Sequence, residues 1–235
     1  MLNYSLNSIA NIINGKLLGD GQINISSVIT DSRTITANQS SLFVALVGEH
    51  HDGHKYINEL YAKGVCAFVV SQIDSLTEQF PKASFLLVEN TLRAFQQLAI
   101  YHRKQFSYPV IGITGSNGKT IVKEWLSQLL SSDYSIIRSP KSYNSQVGVP
   151  ISVLQMDSTS NLAIFEAGIS LPDEMIKLKP IIDPTIGIFT NIGAAHQKNF
   201  TSTKHKTKEK LILFSEAKTL IFCNEHEEIK SIALE

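Results

Sequence analysis

Apolar residues recur along this chain in two rhythms, and the alternation between them predicts its layout. Leu6, Ile9, Ile12 and Ile13 fall at three- and four-residue spacing, which predicts a short amphipathic helix ended by Asn14-Gly15. Short apolar runs over Ile23–Ile29 and Leu42–Val47 predict strands, separated by the polar stretch ITDSRTI in which Asp31, Ser32 and Arg33 are adjacent. Tyr56–Ala62 reads as a helix closed by Gly64, and Val65–Val70 and Ser84–Val88 read as buried strands. A long helix over Thr91–Phe106 carries Leu92, Phe95, Leu98, Ala99 and His102. Pro109 restarts the chain, so a domain boundary is expected near Ser107, giving units of residues 1–106 and 107–235.

In the second half, Val110, Ile111 and Ile113 form a strand, and Val122, Trp125, Leu126, Leu129 and Leu130 mark the helix after it. Tyr134–Arg138 is strand-like and is followed by SPKSYNSQVGVP. Asn161–Glu166 reads as a buried strand ending in an acid, and Thr185–Thr190 as another strand. Lys204–Ala217 reads as a helix and Leu220–Cys223 as a last strand. Strands alternating with helices call for an α/β fold with a parallel sheet whose ligand lies at the carboxyl ends of the strands. Thr120, Glu166 and His196 all come just past such ends, so they are expected to converge.

The strand at Val110 runs into Thr114-Gly115-Ser116-Asn117-Gly118-Lys119-Thr120 and then a helix, the layout of a phosphate-binding loop. Gly115 and Gly118 let the backbone curl so that the N–H groups of Ser116, Asn117 and their neighbours point at phosphate oxygens. The new helix offers its free N–H groups and positive dipole end to the same anion. Lys119 can reach the terminal phosphates and the Thr120 hydroxyl can hold Mg²⁺. The full pattern asks for glycine where Ile113 stands, so this is a shortened form, and its place between strand and helix carries the assignment.

Composition narrows the classes. The chain has 235 residues, 43% hydrophobic and 18% charged, which describes globular domains with real cores. Its formal net charge is zero, so no nucleic acid or other polyanion partner is expected. Cys66 and Cys223 lie in apolar runs and read as buried strand thiols. No apolar run approaches the roughly 20 residues of a membrane span. The amino terminus lacks the basic start and small-residue cleavage site of a signal peptide, so a cytoplasmic, reducing setting is the default.

Glu166 stands where nucleotide-binding folds keep a Mg²⁺-coordinating acid, whereas a lone His196 would more often be an ordinary loop residue. Lys204, Lys206, Lys208 and Lys210 crowd the start of a helix against its dipole, which something anionic nearby would relieve. His50, His51 and His54, in EHHDGH, have spacing that suits a loop rather than a metal site.

Taken together, TGSNGKT, FEAG, NIGAAH and KTKEKLILF resemble the central ATPase domain of the Mur ligases. The front section, with TDSR and SLFVALVGEHHDGHKYI, is similar to a substrate-binding domain of the same family. The resemblance covers essentially the whole chain, with the motifs in the family's order. It implies a small mixed α/β substrate-binding domain, then a P-loop ATPase domain with a mostly parallel sheet flanked by helices. The wording of IVKEWL and RSPKSYNSQVGVP is most similar to members fused to an alanine racemase.

The resemblance also implies roles. Lys119 would contact the ATP phosphates, Thr120 would help hold Mg²⁺, and Glu166 and His196 match the family's metal-binding Glu and His. Lys210 matches the lysine that the family carbamylates, with Lys208 as the competing candidate in this lysine-rich helix. Asn144 matches one asparagine of a substrate-contacting pair whose second position is Ser145 here. Ser32 and Arg33 match the segment that meets the UDP-sugar. The implied reaction is ATP-driven amide formation through an acyl phosphate, joining D-alanyl-D-alanine to UDP-N-acetylmuramoyl-tripeptide. The family's third, C-terminal domain has no counterpart here, so a piece of a longer protein without full ligase turnover is expected. Other readings are a different ligase of the superfamily, tripeptide-forming or folylpolyglutamate-forming, and a nucleotide-gated binding module without amide chemistry.

Overall fold

A computed structural model describes residues 2–33, 38–193 and 197–234. The chain divides into two compact units, one up to Tyr101 and the other from His102 onwards.

The first unit opens with helix α1 (Leu6–Ile12), capped by the Ser5 hydroxyl accepting from the Ser8 N–H, and Asn14 closes it at φ 52°. Strands β1 (Lys16–Leu18), β2 (Ser27–Ile29) and β3 (Ser41–Val44) follow, then helix α2 (Ile57–Ala62). Strands β4 (Ala67–Val70) and β5 (Ser84–Leu87) and helix α3 (Thr91–Arg103) complete the series. The sheet order is β1-β5-β4-β3-β2, parallel except for β1, which runs antiparallel to β5. Register puts Phe43 beside Phe68 and Phe68 beside Phe85, so the three rings share one face. Phe68 and Phe85 stack at 5.5 Å between centroids, and Ile57, Leu60 and Val65 close over them as the core of this unit.

The second unit is built on β6 (Val110–Thr114), with α4 (Lys119–Leu130), β7 (Ile136–Arg138), α5 (Gly148–Val153) and β8 (Leu162–Glu166). Then come α6 (Met175–Ile182), β9 (Ile186–Phe189), α7 (Thr203–Leu211), β10 (Thr219–Phe222) and α8 (Glu227–Ala233). All five strands run parallel in the order β7-β8-β6-β9-β10. Neighbours reached from opposite directions flank β6, the arrangement that opens a crevice above the strands' carboxyl ends. Every residue of β6 and β8 is buried, as expected of central strands in a parallel sheet.

Several expectations are corrected. Helix α4 packs Val122, Leu126 and Leu130 on Ile111, Ile113 and Ile164, but Ile121, Trp125 and Leu129 form a second stripe that faces outward. The SPKSYNSQVGVP stretch leads into α5, a helix that was not among the expected elements. Helices α6 and α8 were likewise not expected. The lysine-rich helix ends as an α-helix at Leu211 and tightens into a 3₁₀ turn over Ile212–Phe214. Neither cysteine is buried: Cys66 is half-buried and Cys223 exposed. Cys223 follows β10, which has a sheet neighbour on one side only. The histidine-rich stretch is a local turn, in which His54 Nδ1 pairs with Asp52 at 2.6 Å and Nε2 accepts from the Ser71 N–H. Among the described residues no helix is long and apolar enough to cross a membrane.

Arg103, almost wholly buried, donates to the carbonyls of Ile182, Asp183 and Phe106, each at 2.8 Å. It thereby satisfies the carboxyl end of α6, where Asp183 turns left-handed at φ 44°. Arg103→Met leaves those carbonyls without their donor, and urea denaturation is expected to show a loss of about 2–4 kcal/mol.

Candidate functional site

The loop after β6 depends on two glycines. Gly115 lies at φ +145°, and a Cβ there would fall 2.0 Å from Thr190 Oγ1. Gly118 lies at φ +80° and forms the N-cap of α4. The segment after β9 braces the loop. The Ser116 N–H donates to the Asn191 carbonyl at 2.9 Å, and the Asn117 N–H donates to Asn191 Oδ1 at 3.0 Å. The Gly193 N–H donates to Ser116 Oγ at 3.0 Å, and Thr190 Oγ1 donates to the Asn117 carbonyl at 2.6 Å. This rigid loop opens directly into the helix whose first N–H groups have no partner within the helix.

Register brings the acid to the same place. Ile113 pairs with Glu166, so β8 ends level with the penultimate residue of β6. Glu166 is fully buried, and its Oε2 accepts from Thr120 Oγ1 at 3.1 Å, with Asn144 Nδ2 at 3.5 Å. The Lys123 ammonium lies 3.0 Å from Oε1, at ion-pair distance but off the hydrogen-bonding angle. Oε1 therefore has no hydrogen-bond partner among the described residues. A fully buried carboxylate whose Oε2 meets a threonine hydroxyl is a hard-oxygen donor set of the kind Mg²⁺ takes, so these residues fit that ion.

Cations surround the loop. Lys119 Nζ folds back to the Gly115 carbonyl at 2.9 Å, and Lys210 Nζ reaches the same oxygen at 3.3 Å. Lys206 Nζ donates to the Gly193 carbonyl. Burial pulls the Lys119 ammonium below its ordinary pKa against the opposing pull of Glu166, and burial does the same to Lys206. Lys210 falls furthest, to about 7, through burial first and then the like charges of Lys119 and Lys206. Along α7 the lysines split by face: Lys206 and Lys210 point inward, whereas Lys204 and Lys208 are exposed.

A cleft of about 300 Å³ opens beside this cluster, lined by Lys119, Lys210, Asn144, Gln146, Gly168 and Glu174 among others. A second hollow, about 270 Å³, lies on the Thr120 side, and Ser116, Lys119 and Asn144 border both.

The expected residues Gly115, Ser116, Asn117, Gly118, Lys119, Thr120, Asn144, Glu166 and Lys210 thus share one neighbourhood in the second unit. His196 lies outside the described residues. Ser32 and Arg33 belong to the first unit. Ser32 is buried, and Arg33 is exposed and pairs with Asp31 at 2.6 Å, which holds that carboxyl down at about 2. Lys123 is the residue sequence reasoning missed. Its signal was its spacing, four residues after Lys119 and so on the same helical face.

The Lys210 shift carries a sign. Folded Lys210 binds fewer protons than unfolded lysine between about pH 7 and the ordinary value of 10.5, so its contribution to stability improves as pH rises through that window. Below about pH 7 the full penalty of a buried charge applies. Lys210→Met is expected to melt above the unsubstituted chain at pH 6, with the difference shrinking towards pH 10, as read by thermal denaturation.

Residues 113–235 match the model of the Mur ligase middle domain, and residues 24–134 match that of the Mur ligase family catalytic domain. The UDP-N-acetylmuramoyl-tripeptide–D-alanyl-D-alanine ligase of Bacillus subtilis strain 168 is 32% identical over 213 residues, 90% of this chain and 46% of that protein. Its Escherichia coli K12 counterpart is 33% identical over 215 residues, 92% of this chain and 46% of that protein. A crystal structure of MurF from Acinetobacter baumannii superposes with a TM-score of 0.86 at 26% identity, covering 99% of this chain and 51% of that one. The MurF ligase of Thermotoga maritima, solved in complex with ADP, gives 0.76 at 25% identity, covering 87% and 47%. The chain spans about half the length of the relatives it matches.

Proposed function

The chain belongs to the Mur ligase family, and from that premise we propose that it serves ATP-driven amide formation, joining D-alanyl-D-alanine to UDP-N-acetylmuramoyl-tripeptide. The names of the B. subtilis and E. coli relatives specify this reaction, and the ADP complex of the T. maritima relative supports a nucleotide at the glycine loop. The observation that carries the reading is the meeting of Thr120 with Glu166 beside a loop carbonyl gripped by both Lys119 and Lys210.

In this reading a carboxylate oxygen of the tripeptide attacks the γ-phosphorus of ATP, the bond to ADP breaks, and an acyl phosphate forms. The amine of D-alanyl-D-alanine then attacks the acyl carbon, loses a proton, and phosphate leaves. Two anions must meet in the first step, so the residues' work is neutralisation and placement. Lys119 exchanges the Gly115 carbonyl for phosphoryl oxygens, a stronger partner for its charge. The N–H groups opening α4 bind the phosphates. Thr120 and Glu166 would hold Mg²⁺, with His196 as the further ligand that the family resemblance implies. When bound, Mg²⁺ offsets charge on the transferring phosphoryl group.

Lys210 is the residue for carbamylation. An amine with a pKa of about 7 is largely neutral at physiological pH, adds CO₂, and releases a proton to give an anionic carbamate. Lys208, exposed on the opposite face of α7, lacks that environment. Asn144 steadies Glu166 and borders the cleft, which suits a contact to substrate, and Ser32 and Arg33 meet the UDP-sugar.

Calorimetric titration of the chain with Mg²⁺-nucleotide, and separately with UDP-N-acetylmuramoyl-tripeptide, tests both halves. Lys119→Ala removes charge-assisted bonds worth about 1.5–3 kcal/mol, so nucleotide binding is expected to weaken about 10- to 100-fold with the UDP-sugar-peptide unaffected. Arg33→Ala is expected to do the reverse. Nucleotide binding without any binding of the UDP-sugar-peptide would refute the substrate assignment.

A further inference from the structure

We propose that Lys123 is the positioning residue of Glu166, a built-in cation that turns one carboxylate oxygen towards Thr120 and draws the 139–144 segment over the site. The proposal rests on the reading of Thr120 and Glu166 as the ion-holding pair.

Lys123 lies one turn into α4 and is completely buried. A lysine hidden from water must find oxygen for its ammonium protons, or its charge is too costly to keep. Its Nζ donates to the Ser139 carbonyl at 2.7 Å and to the Lys141 carbonyl. It also lies 3.0 Å from Glu166 Oε1 and 3.2 Å from Glu124 Oε1. Glu124 is held in turn by Arg138, at 3.0 Å.

This arrangement makes the two oxygens of Glu166 unlike. Oε1 has the ammonium beside it, while Oε2 has the Thr120 hydroxyl and the Asn144 amide. Attraction on one side and hydrogen bonds on the other hold the carboxylate in one orientation. The fixed positive charge at Oε1 also opposes a second cation there, which leaves the Thr120 side as the productive one.

The same ammonium organises the backbone around it. Ser139 and Lys141 follow β7, and Lys141 is held left-handed at φ 50°. Ser139 Oγ accepts from the Glu166 N–H at 3.3 Å. One residue beyond Lys141, Ser142 Oγ lies 3.2 Å from Thr120 Oγ1, and Asn144 follows. Lys123 therefore ties the helix after the phosphate loop, the end of β8 and the segment bearing Ser142 and Asn144 to one point. None of its contacts is to the reacting groups, so it acts through Glu166.

The test is a double-substitution cycle on the full chain, read by nucleotide binding at graded Mg²⁺ and by amide hydrogen exchange. Lys123→Met is expected to raise the Mg²⁺ needed for half-maximal nucleotide binding at least fivefold, while Mg²⁺-free binding stays within twofold. Placed on Glu166→Gln, the same substitution is expected to add less than twofold, because its target carboxylate is already gone. An unchanged Mg²⁺ requirement in Lys123→Met, or an effect that multiplies in full on Glu166→Gln, overturns the proposal. Should Lys123→Met fail to fold with Glu166 left uncompensated, the double variant, which buries no charge at this pair, compared with Glu166→Gln alone decides by the same criterion. If the unsubstituted chain binds no nucleotide, the function proposed above has failed. The role of Lys123 is then decided by exchange at residues 139–144, expected at least tenfold faster in the double variant than in Glu166→Gln, with equal rates overturning it.

Discussion

Between β6 and its two neighbours the parallel ladder sets Ile113 against Glu166 on one side and Thr114 against Phe189 on the other. Side chains alternate in direction along a strand, so a slip of one residue in either pairing would turn Glu166 to the wrong face of the sheet or carry Asn191 out of reach of the loop. The register is held by apolar packing that has no chemistry of its own, chiefly Ile111, Ile113, Leu162 and Ile164. The placement of each polar group at the site is thus inherited from hydrophobic contacts beneath it. Fully buried strands specify register strongly, because no alternative pairing keeps those residues out of water.

Above that scaffold the charges are unbalanced by design. Lys119, Lys206 and Lys210 gather on the carbonyls of Gly115 and Gly193 at the glycine loop, while Lys123 pairs with the fully buried carboxylate of Glu166. Crowded, desolvated ammoniums that share main-chain carbonyls are held at a cost relative to solvated lysine. An anion that enters relieves this cost, so part of the free energy of folding is withheld until ligand binds and is returned as affinity and stability together. Along α7 the dipole does not explain which lysines turn inward: Ser202 caps the start, Lys204 in the first turn is exposed, and Lys210, directed at the loop, lies in the last turn where the dipole favours a cation.

Much of this was legible in the sequence, and the failures have specific causes. The glycine loop between strand and helix, the acid at the end of β8 and the lysine helix announce themselves because turn chemistry and apolar runs are local signals. Helix α5 gives a weak local signal because it is short and contains Gly148 and Pro150, both poor helix formers, although proline in a first turn forfeits only an N–H that has no partner there. Helix α6 carries Pro180 beyond its first turn, where proline ordinarily interrupts a helical pattern. Cys223 was misjudged because an apolar run says nothing about whether its strand lies at the rim of a sheet, and Cys66 because it stands one residue before β4 begins. Lys123 looked like any solvated helix lysine, since its burial is created by β8 and the segment after β7, distant in sequence. The exposed stripe of α4 was counted into its core because residues at spacing four satisfy the helical period on either face.

That stripe carries the chain's one tryptophan, Trp125, 62% exposed and five residues beyond Thr120 of the glycine loop. All indole emission of this chain therefore originates from a single partly hydrated site on the helix that opens from the glycine loop. Its wavelength and quenching form an intrinsic optical gauge of that helix, readable without any label.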